Sequence, residues 1–298
     1  MTEPASASTA SMKMRSWLFA PGDSERKMQK ASDGEADIVL LDLEDSVMPE
    51  NKPAARVLVH DFLASREDRH RLWVRVNPLP SGEIEADLEA IMPAAPGGLF
   101  LPKADGREDV EALDELLTKL EAAHNIEAGS TKLAALVTET PKAMFHTGDY
   151  EGAPRLVAMS WGAEDLSSAL GATVQFQSNG NYMPTFELAR SLCLVGAVAA
   201  GAAPIETIQS DFRDLDGLRE RALMVRSQGY RGMLAIHPAQ VPVINEAFTP
   251  SEEELDHARA IVAAFEANPG AGTVGLNGAM LDRPHLALAQ ALLASADG

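Results

Sequence analysis

Short apolar segments that end in turn or polar residues alternate with amphipathic helical segments along most of this chain. The clearest apolar segment, residues 38–41 (Ile-Val-Leu-Leu), is continuous rather than alternating, which is typical of a parallel strand buried on both faces. Strands are predicted over residues 15–20, 37–41, 72–76, 98–101, 132–137, 155–159, 204–208 and 232–236. Eight strands, each followed by a helix, predict the α/β class and a single (β/α)8 TIM barrel. An open doubly wound sheet is the alternative, because periodicity does not reveal whether a sheet closes.

The barrel pattern is predicted to cover residues 13–248. Residues 1–12 are rich in Ala, Ser and Thr and are predicted to be a disordered tail. Residues 249–298 are predicted to form an appended C-terminal helical extension, whose last helix spans residues 283–296. The Pro-Gly-Ala-Gly sequence at 269–272 predicts a flexible joint before that helix. The extension therefore either packs beneath its own barrel or reaches a neighbouring subunit.

Composition excludes several classes of partner. The formal charge of −19 argues against nucleic acid and against an anionic membrane surface. No stretch approaches the roughly 18 apolar residues of a membrane-spanning helix. The single cysteine, Cys193, lies in an apolar segment and is predicted to be a small buried hydrophobe. We expect a soluble, cytoplasmic protein that acts on small molecules.

Most residues that close the predicted strands are acids. They are Asp42, Glu44, Asp45, Glu139, Glu164, Asp165 and Glu206, accompanied by Arg75, Lys103 and His237. Because barrel active sites lie at the C-terminal ends of the strands, these side chains are predicted to converge. The excess of carboxylates favours a hard cation such as Mg²⁺ and disfavours zinc. Arg75 is either the structural counter-charge of the acids or a group that stabilises an oxyanion.

Two cations near the start of the first predicted helix form a second candidate group. Arg26 and Lys30 are one helical turn apart, which suits them to binding phosphates near a helix N-terminus. The alternative is that they only form a solvated helix face.

Several motifs in the same order resemble the HpcH/HpaI aldolase and citrate lyase β-subunit (CitE-like) superfamily, in its acyl-CoA lyase branch (malyl-, citramalyl- or citryl-CoA lyase). The resemblance spans residues 14–293. The matching segments are residues 15–22 (RSWLFAPG), 40–47 (LLDLEDSV), 74–77 (VRVN), 101–103 (LPK), 139–141 (ETP), 161–166 (WGAEDL) and 236–238 (IHP). The family fold is a (β/α)8 barrel with an added C-terminal helical segment, which agrees with the pattern described above.

The resemblance implies a role for individual residues. Glu139 and Asp165 match carboxylates that bind Mg²⁺, with Mn²⁺ as a possible substitute, and Glu139 also contacts substrate. Arg75 matches the arginine that faces the thioester and carboxylate oxygens of the substrate. Glu44 and Asp45 match acids near the metal, with packing and capping as the alternative role. The residues implied in binding coenzyme A are Phe19, Arg26 and Lys30, with help from Lys52 and Arg56.

The resemblance also implies that the protein is a homo-oligomer, a trimer or hexamer, in which a C-terminal acid reaches a neighbouring subunit's site. Asp282 is the candidate, although Gly-Ala-Met-Leu-Asp stands where relatives show a Gly-Lys-Met sequence. Glu206 also departs from the family, because relatives commonly carry Asp there. These departures concern the choice of substrate more than the type of reaction.

The predicted reaction is the Mg²⁺-dependent cleavage of a 3-hydroxyacyl-CoA thioester, such as citramalyl-, malyl- or citryl-CoA, to acetyl-CoA and a 2-oxo acid, or its reverse. A free-standing enzyme is preferred to a citrate lyase β subunit in an acyl-carrier complex. Two further alternatives are a class I aldolase that forms a Schiff base on Lys103 and a non-catalytic acyl-CoA-binding subunit.

Overall fold

The structure is a computed structural model that describes residues 12–296. The predicted tail at 1–12 therefore lies, apart from Met12, outside the described residues. Residues 14–246 form one compact unit, and a second unit begins at Ala247.

Eight parallel strands in the first unit form a closed barrel in the order β1 to β8, with β8 paired to β1. The strands are β1 (Ser16–Pro21), β2 (Ile38–Asp42), β3 (Leu72–Arg75), β4 (Gly98–Leu101), β5 (Lys132–Leu136), β6 (Leu156–Ser160), β7 (Ala203–Glu206) and β8 (Gly232–Ala235). The predicted TIM barrel is confirmed, and the open sheet is excluded. The largest difference in the strand bounds is at β7, which was predicted to continue to residue 208.

Helices follow seven of the eight strands. They are α1 (Glu25–Ser32), α2 (Lys52–Ala64), α3 (Ile84–Ile91), α4 (Arg107–His124), α5 (Ala163–Leu170), α6 (Pro184–Ala199), α7 (Leu215–Gln228) and α8 (Gln240–Ala247). The prediction of a helix after every strand is wrong at β5, where only a 3-10 turn, Ala143–Phe145, forms before β6. The short α5 and α8 helices were not predicted. Within residues 12–296, no helix is both long and apolar enough to cross a membrane.

Aromatic side chains fill the barrel interior. The indole rings of Trp17 and Trp73 pack edge to face with 5.0 Å between their centroids, and Phe100 packs against Trp17. A Cβ atom at Gly98 would lie 2.6 Å from the Trp73 ring, so glycine is required where β4 passes this indole. Cys193 is buried in α6, as predicted.

The register of the sheet determines which side chains meet at the mouth of the barrel. Asp42 is the last residue of β2 and pairs with Arg75, the last residue of β3. Pro21 at the end of β1 pairs with Asp42 on its other side. Because neighbouring strands end at the same level, their terminal side chains lie next to one another at this edge.

The second unit contains α9 (Glu252–Glu266), β9 (Thr273–Leu276), β10 (Ala279–Asp282) and α10 (Arg283–Ala296). Ser251 and Glu254 form a capping box at the start of α9, which satisfies free N–H groups of its first turn. The strands β9 and β10 form an antiparallel hairpin. The predicted C-terminal helices are present, with the last one at Arg283–Ala296, but the hairpin between α9 and α10 was not predicted.

The turn residues explain why a hairpin forms here. Its two-residue turn, Asn277-Gly278, has positive φ angles of 50° and 82°, and Asn-Gly is the preferred sequence for such turns. Val274 and Leu281 from the two strands join a small hydrophobic core with Ile261 and Phe265 of α9 and Ala289 of α10. Burial of these side chains holds the two helices and the hairpin together as a unit.

Candidate active site

A cavity of about 320 Å³ lies at the C-terminal ends of the barrel strands. Its lining includes Phe19, Asp42, Asp45, Arg75, Leu136, Glu139, Trp161, Gly162, Glu164, Asp165, Thr207 and Ile236. A concave pocket with a few convergent charged groups at this end of a barrel is the usual place for an active site. The structure thus brings together the predicted acids of β2, β5 and β6 with Arg75.

Two buried acids hold the Arg75 guanidinium. Its Nε and Nη2 atoms donate to the two oxygens of Asp42, each at 2.7 Å, and its Nη1 atom lies 2.8 Å from Glu44 Oε2. Burial opposes ionisation of Asp42, but Arg75 holds the pKa of this carboxyl below its ordinary value. Burial likewise disfavours the charge on Arg75, yet the same acids raise its pKa. Arg75 therefore stays charged and fixed in orientation at the cavity wall.

The carboxylate of Glu139 is buried at the base of the cavity. Its Oε2 atom accepts a hydrogen bond from the Lys103 backbone N–H at 2.7 Å. Burial, together with repulsion from Asp165 and Glu44, raises the pKa of Glu139 to about 8. A Cβ atom at position 162 would lie 2.7 Å from Glu139 Cγ and Oε1. Gly162 therefore leaves the space that the Glu139 side chain occupies.

Lys103 lies inside the acid cluster. Its backbone is left-handed, with φ of 52°, and both its N–H and its side chain contact acids, Glu139 and Glu44 respectively. The ammonium contacts Glu44 and lies 3.4 Å from Asp165 Oδ1 and 3.7 Å from Asp45 Oδ2. Burial opposes its charge, but the hydrogen bond and the attraction to Glu44 raise the pKa of Lys103. The amine is thus protonated.

The donor set fits a hard divalent cation. Asp165 is close enough to Glu139 that its charge raises the pKa of that buried carboxyl, and a cation between the two would relieve this repulsion. Mg²⁺ takes one or two protein carboxylates and keeps waters and substrate oxygens for its other positions. Among residues 12–296 no group of three or more His, Cys, Asp and Glu side chains is arranged to hold a metal ion.

Glu206 does not point into the open mouth with the other acids. It is fully buried, accepts a hydrogen bond from Trp161 Nε1 at 3.0 Å and pairs with Arg221 at 2.5 Å. Arg221 also donates to the Tyr182 hydroxyl at 2.8 Å. This buried group supports the indole that forms one wall of the cavity, so Glu206 acts here as a structural acid.

The residues predicted to bind coenzyme A separate into two groups. Phe19 lines the cavity with its ring 4.8 Å from the Arg75 guanidinium carbon, and Arg26 and Lys30 are exposed on α1, which follows β1. Lys52 and Arg56 instead form internal contacts. Arg56 is buried and pairs with Asp87 at 2.7 Å, so its charge is neutralised within the fold.

Asp282 ends β10 in the second unit and directly precedes α10. The Asp282 carboxylate lies 2.5 Å from Nδ1 of His285. The same ring nitrogen is 3.2 Å from the backbone nitrogen of Asp282. The hydrogen bond with His285 lowers the pKa of Asp282. Its predicted place in a neighbouring subunit's site stays a prediction.

Sequence reasoning missed the structural parts of the site. Trp161, Gly162, Leu136 and Thr207 line the cavity but carry no charge that marks them in a single sequence. The Trp-Gly pair directly before Ala-Glu-Asp was an available indication, because a glycine next to a strand end often marks a close approach of other atoms.

Comparison with known proteins agrees with this geometry. The family described as HpcH/HpaI aldolase/citrate lyase matches residues 15–238. The chain is 32% identical to the (3S)-malyl-CoA thioesterase of Cereibacter sphaeroides, covering 95% of this chain and 94% of that protein. It is also 32% identical to the mitochondrial citramalyl-CoA lyase of Rattus norvegicus, covering 93% and 84%.

A solved structure extends the comparison to the fold. The protein CitE of Mycobacterium tuberculosis, in complex with magnesium, acetoacetate and coenzyme A, superposes with a TM-score of 0.81 at 33% identity, covering 96% of this chain and 99% of that one. The chain therefore belongs to the HpcH/HpaI aldolase/citrate lyase family and is a lyase.

Proposed function

We propose that this protein is a Mg²⁺-dependent carbon–carbon lyase that cleaves, or forms, a 3-hydroxyacyl-CoA thioester. The products of cleavage are acetyl-CoA and a 2-oxo acid, and citramalyl-, malyl- and citryl-CoA are the candidate substrates. One observation carries the proposal: a single cavity has a fixed, charged arginine on one wall and a pair of close carboxylates, Glu139 and Asp165, on another. The names of the relatives above support the thioester chemistry.

Glu139 and Asp165 are the residues that would hold the metal. When bound, Mg²⁺ would supply Lewis-acid polarisation of the oxygens at the oxo-acid end of the substrate. The complex of the Mycobacterium tuberculosis relative with magnesium and coenzyme A supports this choice of cofactor. Glu139 is 4% exposed, and charge interactions are stronger in such a buried place than in bulk water.

Arg75 stabilises the charge that develops on the thioester. Cleavage breaks the bond between the thioester α-carbon and the hydroxyl-bearing carbon, and the electron pair of that bond becomes the enolate of acetyl-CoA. The hydroxyl group releases its proton as it becomes the carbonyl of the 2-oxo acid, and the enolate carbon takes up one proton to give acetyl-CoA, so the overall reaction neither gains nor loses a proton. A preorganised guanidinium facing the enolate oxygen lowers the barrier without reorganising, because Asp42 and Glu44 already hold it in place.

The proposed substrate also needs an anchor for its coenzyme A portion. Arg26 and Lys30 are exposed cations on α1, next to the strand that carries Phe19. We assign the phosphates to these two cations and the thioester end to Phe19. Protonation of the enolate carbon is assigned to Asp282 of a neighbouring subunit in a homo-oligomer.

The protein's own contacts oppose a Schiff-base mechanism. A class I aldolase needs a neutral amine as nucleophile, whereas the Lys103 ammonium contacts Glu44 and lies near Asp45 and Asp165. The charged pairs of the cavity likewise argue for catalysis over a purely acyl-CoA-binding role. We retain a free-standing, cytoplasmic enzyme in preference to a subunit of an acyl-carrier complex.

Thioester hydrolysis is a second candidate, favoured by the relative named as a (3S)-malyl-CoA thioesterase. It would release free coenzyme A and a hydroxy acid rather than acetyl-CoA and a 2-oxo acid. The two reactions therefore differ in whether the carbon–carbon bond or the carbon–sulfur bond breaks.

Chromatography of the products separates these candidates. We expect incubation with the three thioesters to yield acetyl-CoA and a 2-oxo acid, with activity lost in EDTA and restored by Mg²⁺ or Mn²⁺. Release of free coenzyme A without acetyl-CoA would identify a thioesterase. Activity that persists in EDTA, with borohydride trapping an adduct on Lys103, would instead establish the aldolase alternative.

A further inference from the structure

Lys52, the first residue of α2, directs its ammonium at the loop after β2. The Nζ atom donates to the backbone carbonyl oxygens of Leu43 at 2.9 Å and Glu44 at 3.2 Å. Its third hydrogen bond is to Asn77 Oδ1. Within the described part of the chain, no carboxylate oxygen lies close enough to Lys52 Nζ, at 4.0 Å or less, to form an ion pair. All three of its donors are therefore used on neutral oxygens of one small region.

Asn77 is locked in the orientation that this arrangement needs. Its Nδ2 atom donates to Asp87 Oδ2 at 2.8 Å and to the Leu43 carbonyl at 3.0 Å, and its backbone N–H donates to the same Asp87 oxygen at 2.8 Å. Asn77 is 3% exposed and Asp87 is fully buried. Because the amide nitrogen is fixed by a carboxylate, the amide oxygen must face Lys52. The buried network is satisfied at each of these atoms.

The network ends on the backbone of Glu44. The N–H of this residue donates to Asp42 Oδ1 at 2.9 Å, while its carbonyl is held by Lys52. Both sides of the residue are thus restrained, and its carboxylate reaches Nη1 of Arg75. Without the ammonium, the carbonyl oxygens of Leu43 and Glu44 lose a charged donor, and the loop can relax.

We propose that Lys52 and Asn77 are positioning residues: they hold the backbone at residues 43–44 so that the Glu44 carboxylate stays in its ion pair with Nη1 of the Arg75 guanidinium. This inference rests on the proposed function in so far as it concerns turnover. Without Glu44, the two bonds to Asp42 still hold Nε and Nη2, but Nη1 loses its support at the cavity wall. Displacements of about 1 Å in a catalytic group cost roughly 10²-fold in rate.

The test compares Lys52→Met with the matched control Arg71→Met. Arg71 also donates to two backbone carbonyls, those of Ala36 at 3.0 Å and Ser32, and pairs with Asp68, but none of these residues lines the cavity. We expect both variants to lose thermal stability. Only Lys52→Met should lower kcat, by about tenfold or more, while KM for the thioester and Kd for free coenzyme A stay within about twofold.

Chemical rescue separates the lost ammonium from a general packing defect. In Lys52→Cys, alkylation with bromoethylamine restores an ammonium at nearly the length of lysine, and Cys193 is buried, so the new thiol reacts selectively. We expect the aminoethylated protein to regain most of its kcat, whereas the same variant treated with neutral iodoacetamide does not.

A crystal structure of Lys52→Met gives a readout that needs no activity. The Glu44 carboxylate is expected to leave Arg75 Nη1; a separation still near 2.8 Å would overturn the inference. An unchanged kcat in Lys52→Met, equal losses of kcat in Arg71→Met, or a raised Kd for coenzyme A with normal kcat would overturn it as well. If the wild-type protein shows no lyase activity, the proposed function fails, and the position of Glu44 alone decides this inference.

Discussion

The guanidinium of Arg75 and the carboxylate of Asp42 form two parallel hydrogen bonds of 2.7 Å across neighbouring strands. The two residues are 33 positions apart in the chain but are direct partners in the β2–β3 register. Bidentate pairs of this kind fix direction as well as distance. The pair therefore links barrel stability to the orientation of the proposed catalytic arginine.

Replacement of Asp42 by Asn should reduce both stability and turnover. The variant keeps the size of the side chain but leaves the buried Arg75 charge paired with Glu44 alone. Breaking a buried ion pair in this way lowers the free energy of unfolding by about 3–5 kcal/mol. Urea unfolding measures the free energy, and steady-state kinetics measures kcat. Asp256→Asn is the control, because its pair with Arg259 is exposed and should change stability by less than about 1 kcal/mol. Equal changes in both variants would contradict this account.

Gly162→Ala should weaken metal binding without unfolding the barrel. The added Cβ atom would lie 2.7 Å from Glu139 Cγ, so the Glu139 side chain must leave its present position. We expect the Mg²⁺ affinity, measured by calorimetry, to fall by about 10–100-fold, as for other changes that reorient a ligand. The control is Gly148→Ala, since a Cβ atom there meets nothing within 4 Å. An unchanged Mg²⁺ affinity in Gly162→Ala would show that Glu139 does not hold the metal.

The sequence predicted the strands well because their chemistry is local. A run buried on both faces is apolar without interruption, and Pro, Asn and acidic residues close it, as at Leu101-Pro102 and Arg75-Val76-Asn77. Closure of the barrel and the pairing of Asp42 with Arg75 depend on strand register, which a local pattern does not contain. The Asn277-Gly278 turn is visible in the sequence, but its flanking strands are only four residues long and were not predicted.

The roles of individual cations were the least predictable part. Arg26, Lys30, Lys52 and Arg56 have the same character in the sequence, but the fold gives them different surroundings. Asp87 is 31 residues from Arg56, and Asn77 is 25 residues from Lys52. A single sequence shows a charge but not its distant partner. All four cations were predicted to bind coenzyme A, and two of them, Lys52 and Arg56, form contacts within the protein.

Arg26→Ala and Lys30→Ala should raise KM for the acyl-CoA substrate by roughly tenfold each and leave kcat nearly unchanged. Contacts to phosphates far from the reacting carbon contribute equally in the ground and transition states, and a tenfold effect corresponds to about 1.4 kcal/mol. Lys119→Ala removes an exposed cation from α4 and serves as the control. A loss of kcat at constant KM would show that neither residue anchors coenzyme A.

Glu121→Gln should lower stability at neutral pH and have little effect near pH 2. Burial opposes its charge, but two hydrogen bonds from Arg155, at 2.5 and 2.9 Å, lower the pKa of Glu121 to about 2. A depressed folded-state pKa stabilises the fold above the unfolded pKa of about 4.3, and this contribution is lost as pH falls toward 2. We expect a difference of roughly 3 kcal/mol at pH 7.

Urea unfolding across this pH range measures the effect of Glu121→Gln, and Glu115→Gln on the exposed face of α4 is the control. A stability difference between wild type and Glu121→Gln that does not shrink between pH 4.5 and pH 2 would contradict the assignment of the ion pair.

The Asp282 prediction couples catalysis to oligomeric state. If a neighbouring subunit's Asp282 supplies the proton for the enolate carbon, Asp282→Asn should retain the fold, Mg²⁺ binding and coenzyme A affinity but lose about 10²–10⁴-fold in kcat. Its hydrogen bond with His285 lowers the pKa of Asp282, so the carboxylate must exchange this partner for the substrate before it can act as an acid. His285→Ala should therefore change the pH profile of kcat in the same oligomer.

Subunit mixing separates this role from a local one at the start of α10. Asp282→Asn and Arg75→Ala should each be nearly inactive alone. After exchange of subunits, some sites combine an intact Arg75 with an intact Asp282 from the neighbour, and activity should return in proportion to those sites. If Asp282 only caps α10, the Asp282→Asn variant will have a normal kcat and will lose about 1 kcal/mol of stability. The mixture will then show no more activity than its Asp282→Asn component has alone.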